Sequence, residues 1–523
     1  MFDVVIVGSG PAGVAAAYAL RGRKVCMVDV GESPLETTWG TGTNFYELRR
    51  NPEPHWNEFV GRRFEGFHNI DKTYMPPKLK APLQRFITEG TAVLMPIESE
   101  TFNAIVSLAQ GGLANAWGAQ LYRYNEADLQ QFPLEKGALD LYYDLLTSHI
   151  GISGATDDLT RFYGPADGLL PPLRLGSLAE DLLQRYTRRR SHFNQHGIFL
   201  GRPRLGVLSV PHRGRTACDY SNLEFYSPLL PYIYTPRITL EELIRDKHLE
   251  YMPGYFVVSL EDDGAAARVV ARDVATGRIQ KIIGQRVLLA AGTLGSAAIV
   301  LRTFGDSTTR LPIMENQASY IPFINPRFIG KAHETQTYYT QLSLCYVSEP
   351  TTLVAGTFYS MHGMFHAEFV RDLPLTLSSN LHLLRYLLPS MLILHLWRPG
   401  YRHSDNYVAL RSNGTLYINY TNTVDSTVEK KLIQAFRRVG YLSATFLSKY
   451  PKPGASAHYA GTLPMRERPA EKYETHVSGR LHAMPNVYVA DGAVFPALPA
   501  KNLSFTIMAN AMRVAANLFK DPA

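Results

Sequence analysis

The sequence is poor in cysteine. Its 523 residues include Cys26, Cys218 and Cys345, which lie far from one another. An odd number of isolated cysteines forms neither a disulfide framework nor a recognisable set of metal ligands. We therefore expect a reducing compartment and no bound metal.

Long apolar runs and basic stripes are also absent. No 18 consecutive uncharged apolar residues occur, so a membrane-spanning helix is not expected. The net charge of +7 is modest for this length, and the short cluster Arg188–Arg190 is typical of a solvated helix face, so we expect no nucleic-acid partner. Because the first predicted strand begins at residue 2, we expect no secretion by a cleaved N-terminal signal. We expect a cytoplasmic protein, with contact to a membrane surface left open.

The composition is that of a globular protein. Hydrophobic residues make up 46% of the chain and charged residues 19%, which excludes a disordered chain. The length exceeds that of one ordinary domain. We therefore expect two structural units.

The strongest pattern lies at the start of the chain. Phe2–Val7 is an apolar, β-branched run, and Gly8, Gly10 and Gly13 follow with GxGxxG spacing. Helix-forming residues then continue over Val14–Leu20. The order predicts a buried strand, a tight turn and a helix whose free N–H groups bind a diphosphate.

A second apolar run, Lys24–Val30, contains a carboxylate. Asp29 lies 21 residues after Gly8, where it would accept hydrogen bonds from a ribose 2′-hydroxyl. The unit predicts a dinucleotide, with NAD and FAD both left open.

Two irregular stretches follow. Residues 35–99 are rich in aromatic residues and proline, which predicts an arm or lid. Further on, Gly111, Gly112 and Gly118 frame a turn in which glycines could admit a flat cofactor ring close to the backbone. An ordinary loop remains the alternative for this turn.

The rest of the chain alternates between helical and extended patterns. Helices are predicted over Glu126–Gln131, much of 135–200, Thr239–Lys247 and from about Ser296; strands are predicted over Gly254–Leu260, Ala266–Asp273, Ile279–Ile283 and Val287–Ala290. The last strand, a glycine turn and the following helix predict a second crossover that rejoins the first sheet. Alternating segments over 305–450 predict an antiparallel sheet, a common platform over a substrate cavity.

The most apolar stretch is Leu373–Trp397. Polar residues and a proline interrupt it, so we expect a buried helix pair or an active-site lid. An interfacial helix that dips into a bilayer is the alternative.

The C-terminal segment contains a second pattern that favours a flavin cofactor. Val487–Ala490 reads as a strand that ends at Asp491 and Gly492. Asn502 to Ser504 supply capping side chains before the helical run Phe505–Leu518. The positive end of such a helix favours a flavin that becomes anionic on reduction.

Four blocks in this order resemble the glucose-methanol-choline (GMC) oxidoreductase family of FAD enzymes. They are GSGPAG, GGLANAWGA, VLLAAGTLGSAAIVL, and the segment from HYAGTLPM to NLSFTI. The last is the most specific, since His458 is followed by Gly461, Thr462 and Met465 in the HxxGTxxM pattern. Asn502 follows His458 by 44 residues, where the family places its second active-site residue, His or Asn.

The resemblance implies an α/β protein with a Rossmann-like FAD-binding domain and an interleaved substrate domain built on an antiparallel sheet plus helices. We assign 1–34, 100–125, 200–304 and 455–523 to the FAD-binding domain, 35–99 to the arm or lid, and 126–199 and 305–454 to the substrate domain.

The resemblance also implies a reaction. A sugar-like, lipid or secondary-metabolite hydroxyl is oxidised to a carbonyl by hydride transfer to flavin N5. Neutral His458 would accept the hydroxyl proton, and the Asn502 amide would orient the substrate oxygen. The residues expected to hold FAD are Gly8, Gly10, Pro11, Ala12, Gly13, Asp29, Gly112, Asn115, Ala116, Trp117, Gly118, Ala291, Gly292, Asp491, Gly492, Leu503 and Ser504.

The sequence departs from the family at the flavin-facing turn. Where the family often has GGSS, this chain continues from Gly111 and Gly112 with Leu113 and Ala114, which is closer to the pyranose-oxidase-like branch. Some members of that branch attach FAD covalently through a histidine before the tryptophan, but this chain has Ala116 there, so we expect non-covalent FAD. Relatives can also carry a cysteine cluster near GRTACDYSN, of which only one cysteine is present here.

Other functions remain open at this point. A GMC-fold flavoenzyme can carry out a lyase, desaturation or cyclisation reaction, and a non-catalytic flavoprotein or lipid-surface scaffold is a third hypothesis. We expect a small-molecule alcohol as substrate and O2 or another electron acceptor, with peripheral membrane contact through 373–397 left open. The sequence does not indicate the oligomeric state.

Overall fold

The computed structural model describes residues 1–37, 39, 43–50, 55–66, 76–348, 352–361, 366, 374–423 and 425–520. In these ranges the strands are β1 Phe2–Val7, β2 Val25–Val28, β3 Ile97–Glu98, β4 Ile198–Gly201, β5 Glu250–Met252, β6 Tyr255–Asp262, β7 Ala267–Asp273, β8 Ile279–Leu289, β9 Leu311–Pro312, β10 Met314–Glu315, β11 Ala318–Ile324, β12 Thr340–Ser348, β13 Thr352–Ser360, β14 Met391–Trp397, β15 Tyr407–Leu410, β16 Leu416–Asn419, β17 Tyr459–Ala460 and β18 Val487–Val489.

The helices of the same ranges are α1 Pro11–Ala19, α2 Phe45–Arg50, α3 Trp56–Val60, α4 Pro77–Lys80, α5 Thr91–Leu94, α6 Asp140–Ile150, α7 Thr160–Tyr163, α8 Ser177–Arg188, α9 Arg190–Gln195, α10 Pro236–Arg245, α11 Thr293–Thr303, α12 Leu377–Leu387, α13 Thr427–Arg437 and α14 Ser504–Asn517. Short 3-10 helices cover Pro82–Ile87, Gly112–Asn115, Pro326–Phe328, Leu388–Ser390, Thr445–Leu447 and Gly492–Val494.

The largest sheet is built around β1. Its strand order is β5-β2-β1-β8-β7-β6, and β18 pairs with the C-terminal half of β8. Strands β5, β2, β1, β8 and β18 run parallel, whereas β7 and β6 fold back antiparallel. Parallel strands are covered on both faces and therefore need near-continuous apolar runs, as β1 and β18 have.

Side chains of β1 alternate between two cores. Val4 and Ile6 pack with helices α1 and α14, and Val5 and Val7 pack on the opposite face with α11. The two helix layers therefore enclose the sheet, and the cleft of such a fold opens at the carboxyl ends of its parallel strands.

A second sheet has the order β11-β14-β13-β12-β4 and is antiparallel throughout. Leu392, Leu394 and Leu396 of β14 face a core shared with α8 and α13. His395 and Trp397 alternate with them and point to the other face, where both are buried. The antiparallel sheet predicted over 305–450 is therefore confirmed.

Two small sheets complete the strands. One has the order β3-β16-β15-β9, and the other pairs β10 with β17. The second sets Glu315 opposite Tyr459, directly beside His458.

Several predicted elements are confirmed with shifted ends. Strand β1 has the predicted bounds, whereas α1 begins at Pro11 and α10 at Pro236, earlier than expected. Proline is favourable at the first position of a helix, because its missing N–H would have no partner there. Apolar periodicity identifies the helices, and the N-terminal prolines fix where they start.

The predicted helix Glu126–Gln131 is wrong, since these residues form turns. The N–H of Asn125 donates to Asp128 Oδ2 at 2.8 Å, and the N–H of Asp128 donates to Asn125 Oδ1 at 3.1 Å. Such side-chain bonds compete with the helical ladder, and Pro133 prevents its extension.

The separation of Ile279–Ile283 from Val287–Ala290 is also wrong. One strand, β8, spans both, because Gly284 pairs with Phe2 on one side and Ala267 on the other. The glycine therefore lies within a continuous ladder.

The apolar stretch Leu373–Trp397 is a helix followed by a strand. Leu373 lies outside the described residues; α12 and β14 account for most of the remainder. A buried helix pair is wrong, because only Asn380 and Leu384 of α12 are buried and the second half is a sheet strand. No described helix has the length and hydropathy needed to cross a membrane.

Candidate active site

The glycines of the first turn meet different spatial requirements. Gly8 has a φ of 98°, and an added Cβ would lie 2.7 Å from the carbonyl oxygen of Ala290. A Cβ at Gly13 would lie 1.9 Å from the carbonyl oxygen of Gly8, so α1 packs on the turn only with glycine there. A Cβ at Gly10 would meet no atom within 4 Å. That position leaves room for a ligand to approach the backbone.

Helix α1 begins directly after this space. Gly10 is its N-cap and Pro11 its first residue, and no side chain caps the helix start. The first N–H groups of a helix lack intrahelical partners and favour an anion.

Asp29, at the end of β2, is linked to two loops through Ser9. Its Oδ2 accepts a hydrogen bond from the N–H of Ser9 at 3.0 Å and another from the Ser9 hydroxyl. The N–H of Gly111 donates to Ser9 Oγ at 3.0 Å. Burial raises the pKa of Asp29 to about 6, opposed by the hydrogen bonds from Ser9. The carboxylate therefore stays ionised at neutral pH, as a hydrogen-bond acceptor for a ribose must.

The glycine-rich turn is closed by its own asparagine. Gly111 and Gly112 have φ values of 90° and 62°. Asn115 Nδ2 donates to the carbonyl oxygens of Gln110 at 2.9 Å and Gly112 at 2.8 Å. The asparagine therefore holds the shape of the turn.

Trp117 and Gly118 face the protein beyond the turn. Trp117 Nε1 donates to the carbonyl oxygen of Tyr234 at 2.8 Å, and Lys78 Nζ donates to the carbonyl oxygen of Trp117 at 2.9 Å. A Cβ at Gly118 would lie 3.1 Å from the Tyr339 hydroxyl. Because Lys78 belongs to the predicted arm, the arm contacts this turn directly.

Asp491 connects β18 to α11. Its Oδ2 accepts a hydrogen bond from the Ser296 hydroxyl at 2.5 Å, and its Oδ1 accepts one from the N–H of Ala493 at 2.9 Å. Burial raises the pKa of Asp491 to about 6, opposed by the bond from Ser296. These bonds fix the backbone around Gly492.

The backbone of His458 is held by a buried carboxyl group. The N–H of His458 donates to Ser456 Oγ at 3.1 Å, and the Ser456 hydroxyl donates to Glu315 Oε1 at 2.8 Å. Glu315 Oε1 also accepts from the N–H of Gly454 at 2.6 Å. Glu315 therefore positions the loop that carries His458.

The imidazole of His458 lies in an aromatic environment. Its ring centroid is 5.9 Å from that of Trp397, with 24° between the ring planes. The ring centroids of Trp397 and His395 are 4.1 Å apart. Burial lowers the pKa of His458 to about 4. Nδ1 of His458 makes no hydrogen bond to any described residue. The ring is therefore neutral at physiological pH.

One cleft brings together His458 and most of the residues expected to hold the cofactor. Those on its wall are Gly8, Gly10, Pro11, Ala12, Asp29, Gly112, Ala291, Gly292, His458, Asp491, Gly492, Leu503 and Ser504. Those that do not line it are Gly13, Asn115, Ala116, Trp117, Gly118 and Asn502. Asn502 adjoins the wall residue Leu503, and its Oδ1 is buried without a hydrogen bond to a described residue.

The donor set of this cleft fits FAD. The space above Gly10 and the start of α1 suit a diphosphate, and Asp29 suits a ribose. An added Cβ at Gly292 would also meet no atom within 4 Å, so the wall leaves room along its length. The C-terminal segment contributes two further polar atoms, Nδ1 of His458 and Oδ1 of Asn502. Neither makes a hydrogen bond to a described residue.

Sequence reasoning missed other residues of the site. Met95, residues 105–109, residues 255–257 and Arg302 also line the cleft. Ser9 and Glu315 were missed as well, although each holds a functional loop. Most of these contribute backbone or ordinary apolar groups, which carry no signal in a single sequence. Ser9 had a detectable signal, since it is the polar residue inside the GxG turn.

Comparisons with known proteins agree with this geometry. A family model described as FAD dependent oxidoreductase matches residues 3–223, and one described as GMC oxidoreductase, C-terminal, matches residues 403–511. No curated protein matches the chain.

Among solved structures, pyridoxine 4-oxidase from Mesorbium loti is similar, with a TM-score of 0.58 and 14% identity, and the match covers 100% of both chains. At this identity the likeness shows the fold. The matched domains, with a cleft that fits FAD, show an FAD-dependent oxidoreductase that acts on CH–OH donors, and residues 403–511 are similar to the glucose-methanol-choline oxidoreductases.

Proposed function

We propose that the enzyme oxidises an alcohol to a carbonyl compound, with His458 as the general base. The observation that carries the proposal is the position of a neutral, buried imidazole on the same cleft wall as the cofactor-binding turn. When bound, FAD supplies the acceptor for the hydride that leaves the carbinol carbon. The protein must then supply a site for the hydroxyl proton.

His458 suits that task. A base accepts a proton only through a free lone pair, and the pKa of His458, lowered to about 4 by burial, leaves the imidazole unprotonated at neutral pH. The hydrogen bond of its backbone N–H to Ser456, which is anchored on Glu315, limits movement of the loop. The loop that carries the ring is thus held in place for proton transfer.

Asn502 is the proposed partner of His458. Its amide cannot titrate, so it would orient the substrate oxygen and stabilise developing negative charge on it. The support is its place next to Leu503 on the cleft wall and its buried, unbonded Oδ1. Nδ2 of the amide would donate to the substrate oxygen, whose own proton would go to His458.

For the cofactor, we propose that Gly8, Gly10 and the start of α1 hold the diphosphate and that Asp29 accepts from the ribose. Asp491 and Gly492 would hold the ribityl and diphosphate region, with Asp491 acting partly through the backbone it fixes. We further propose that FAD is bound non-covalently at the glycine-rich turn. The support is Ala116, which offers no side chain for attachment.

The substrate would lie against an aromatic face of the second sheet. Tyr320 and His395 stack with ring centroids 4.2 Å apart, and Trp397 continues the row toward His458. Aromatic faces favour a sugar ring or an aromatic ring over a flexible chain. We therefore rank ring-bearing alcohols above lipids as substrates.

Anaerobic reduction of the flavin tests this function. FAD-loaded enzyme is mixed with a panel of primary and secondary ring-bearing alcohols while the visible flavin absorbance is followed. We expect bleaching by at least one alcohol, with one carbonyl formed per flavin reduced. Turnover of a metabolite without bleaching and without an added acceptor would contradict the proposal and favour a lyase reaction.

A further inference from the structure

Three backbone segments of the active site converge on Asn316, a fully buried residue between β10 and β11. The segments are residues 457–459 around His458, residues 398–400 directly after Trp397, and residues 498–502, which end at Asn502. Each segment carries a group of the proposed site or follows one. Asn316 itself does not line the cofactor cleft.

The side chain of Asn316 joins two of these segments. Its Nδ2 donates to the carbonyl oxygen of Arg398 at 2.9 Å and to that of Pro499 at 2.9 Å. A carbonyl oxygen can only accept a hydrogen bond, so the amide nitrogen has to face both of them. Arg398 directly follows Trp397, and Pro499 shortly precedes Asn502. The asparagine therefore fixes the end of β14 relative to the loop of Asn502.

The backbone of Asn316 joins the third segment. Its N–H donates to the carbonyl oxygen of His458 at 3.3 Å. Next to this bond, β10 pairs with β17 and sets Glu315 opposite Tyr459. One residue therefore bonds to the backbone of the proposed base and to the two segments that carry its aromatic neighbour and its proposed partner.

Gly400 shows how closely these segments pack. Its N–H donates to the carbonyl oxygen of Leu498 at 2.8 Å. An added Cβ at Gly400 would lie 2.7 Å from the carbonyl oxygen of Glu315 and 3.0 Å from Leu498 Cδ2. Because a methyl group does not fit there, the segments 398–400 and 498–502 lie in direct contact with β10 and with each other.

The separation of the catalytic groups matters more for rate than for stability. A displacement of about 1 Å, even one caused far from the reacting atoms, can slow an enzyme about a hundredfold. His458 and Asn502 stand on different loops, so their separation depends on what holds the loops together. The hydrogen bonds of Asn316 are contacts of that kind.

We propose that Asn316 is a positioning residue, which holds the segments of His458, Trp397 and Asn502 in the mutual arrangement that alcohol oxidation needs. The inference rests on the function proposed above for His458 and Asn502. Asn316 acts through the backbone of the three segments and takes no part in proton or hydride transfer.

Hydrogen exchange of the FAD-loaded enzyme without substrate tests whether Asn316 anchors the segments. In Asn316→Ala we expect amide exchange in all three segments to become about tenfold faster, the equivalent of one lost hydrogen bond. FAD content and the thermal midpoint establish that the variant folds. Exchange at the wild-type rate in the three segments would overturn the proposal.

Asn325→Ala is the matched control. Asn325 is also buried and follows β11 at its other end, where its Nδ2 donates to Asp181 Oδ2 at 3.0 Å. Its loss removes a buried side-chain hydrogen bond of similar length away from the three segments. Exchange in those segments should therefore stay at the wild-type rate in this variant, and an equal increase in both variants would overturn the specific role of Asn316.

Anaerobic flavin reduction tests whether the anchoring serves catalysis. With an alcohol that bleaches the wild-type flavin, Asn316→Ala should be slower by about ten- to a hundredfold at saturating alcohol, with little change in the half-saturating concentration. Asn316→Asp, which keeps the side-chain shape and replaces the donating nitrogen with oxygen, should be slowed at least as much. Asn325→Ala should keep the wild-type rate.

Combination with His458→Ala separates positioning from general damage. If Asn316 acts by positioning the base, adding Asn316→Ala to His458→Ala should slow bleaching by no more than about threefold. Fully additive losses, or a wild-type rate in Asn316→Ala, would overturn the proposal while His458 remains the base. A wild-type rate in His458→Ala alone would instead refute the proposed base, and with it any role of Asn316 in positioning it.

Discussion

The imidazole of His458 has its acid–base behaviour set by burial. Within the described residues no carboxylate forms an ion pair with it, and desolvation is the one cause of its lowered pKa. A carboxylate partner would raise that pKa and place the change of charge near neutrality. Without one, the ring stays a free base across the physiological range.

The rate of substrate oxidation should therefore depend on pH in a particular way. The base works when unprotonated, so the rate of flavin reduction should be level from neutral pH downward and fall as the pH approaches about 4, the pKa of His458. Single-turnover mixing after a pH jump measures this before acid unfolding interferes. A rate that already halves between pH 7 and 6 would contradict the buried, neutral imidazole.

Two neighbouring glycines give a matched pair of tests. At Gly13 an added Cβ would lie 1.9 Å from a backbone oxygen, whereas at Gly10 it would meet no atom of a described residue within 4 Å. We expect Gly13→Ala to lower the free energy of unfolding by about 1–3 kcal/mol, the usual cost of overpacking.

Gly10→Ala should leave the unfolding free energy of the apoprotein nearly unchanged and weaken FAD binding instead, by about tenfold, because the methyl group fills the space of the diphosphate. Denaturant titration of the apoprotein and fluorescence titration with FAD measure the two effects. Equal loss of apoprotein stability in both variants would show that Gly10 is structural.

At the scale of elements, the loop before α14 is anchored by a buried ion pair. Lys501, whose side chain is fully buried, donates through Nζ to Asp128 Oδ2 and to the carbonyl oxygen of Phe162. The next residue is Asn502. The turn at residues 126–131, where a helix was predicted, thus holds one end of the loop that carries Asn502.

Breaking this pair should destabilise the protein. Lys501→Met leaves Asp128 buried without its cation and should cost about 3–5 kcal/mol of unfolding free energy. The double variant Lys501→Met, Asp128→Leu should recover much of that loss, because no unpaired charge remains. Urea unfolding of the two variants measures the difference. A double variant as unstable as the single one would show that the packing, rather than the charge, matters.

Sequence patterns predicted the strands and helices well where the burial of apolar side chains alone decides the structure. Buried apolar runs identified β1 and β18, and apolar periodicity identified α6 and α8. The patterns failed where local and distant interactions compete. The side-chain bonds of Asn125 and Asp128, and the distant cation of Lys501, decide the turn at 125–132.

At the scale of the whole molecule, distant parts of the chain assemble the cofactor cleft. Its wall includes the first turn, residues 105–109 with Gly112 and Leu113, the loop after β8 and the segments around His458 and Leu503. A ligand that bridges them stabilises the folded state only, by RT ln(1 + [L]/Kd).

Removal of FAD should therefore lower the stability of the whole protein. With FAD at about a hundredfold excess over its dissociation constant, the gain is about 2.7 kcal/mol. Calorimetry of the holoprotein and apoprotein should show the unfolding of β1 and of the C-terminal helix shifting together. Unfolding of the N-terminal part alone on FAD removal would contradict a cleft shared across the chain.

The site was predictable in part for a physical reason. Motif residues such as Gly8, Asp29 and His458 follow recognisable spacings in the sequence, and the structure places all three on the wall of one cleft. Supporting residues such as Glu315 and Trp397 reach the site through sheet pairing, which no local spacing encodes. The pyranose-oxidase-like branch, the domain boundaries and the cytoplasmic location remain predictions.

The most direct measurement of the central claim is the rate of flavin reduction in His458→Ala. FAD-loaded variant and wild type are mixed anaerobically with the same alcohol in a stopped-flow instrument, with exposed His482→Ala as the matched control. Loss of the general base should slow bleaching by about 10²- to 10⁴-fold at unchanged FAD content, while the control keeps the wild-type rate. Bleaching of His458→Ala at the wild-type rate would contradict the account.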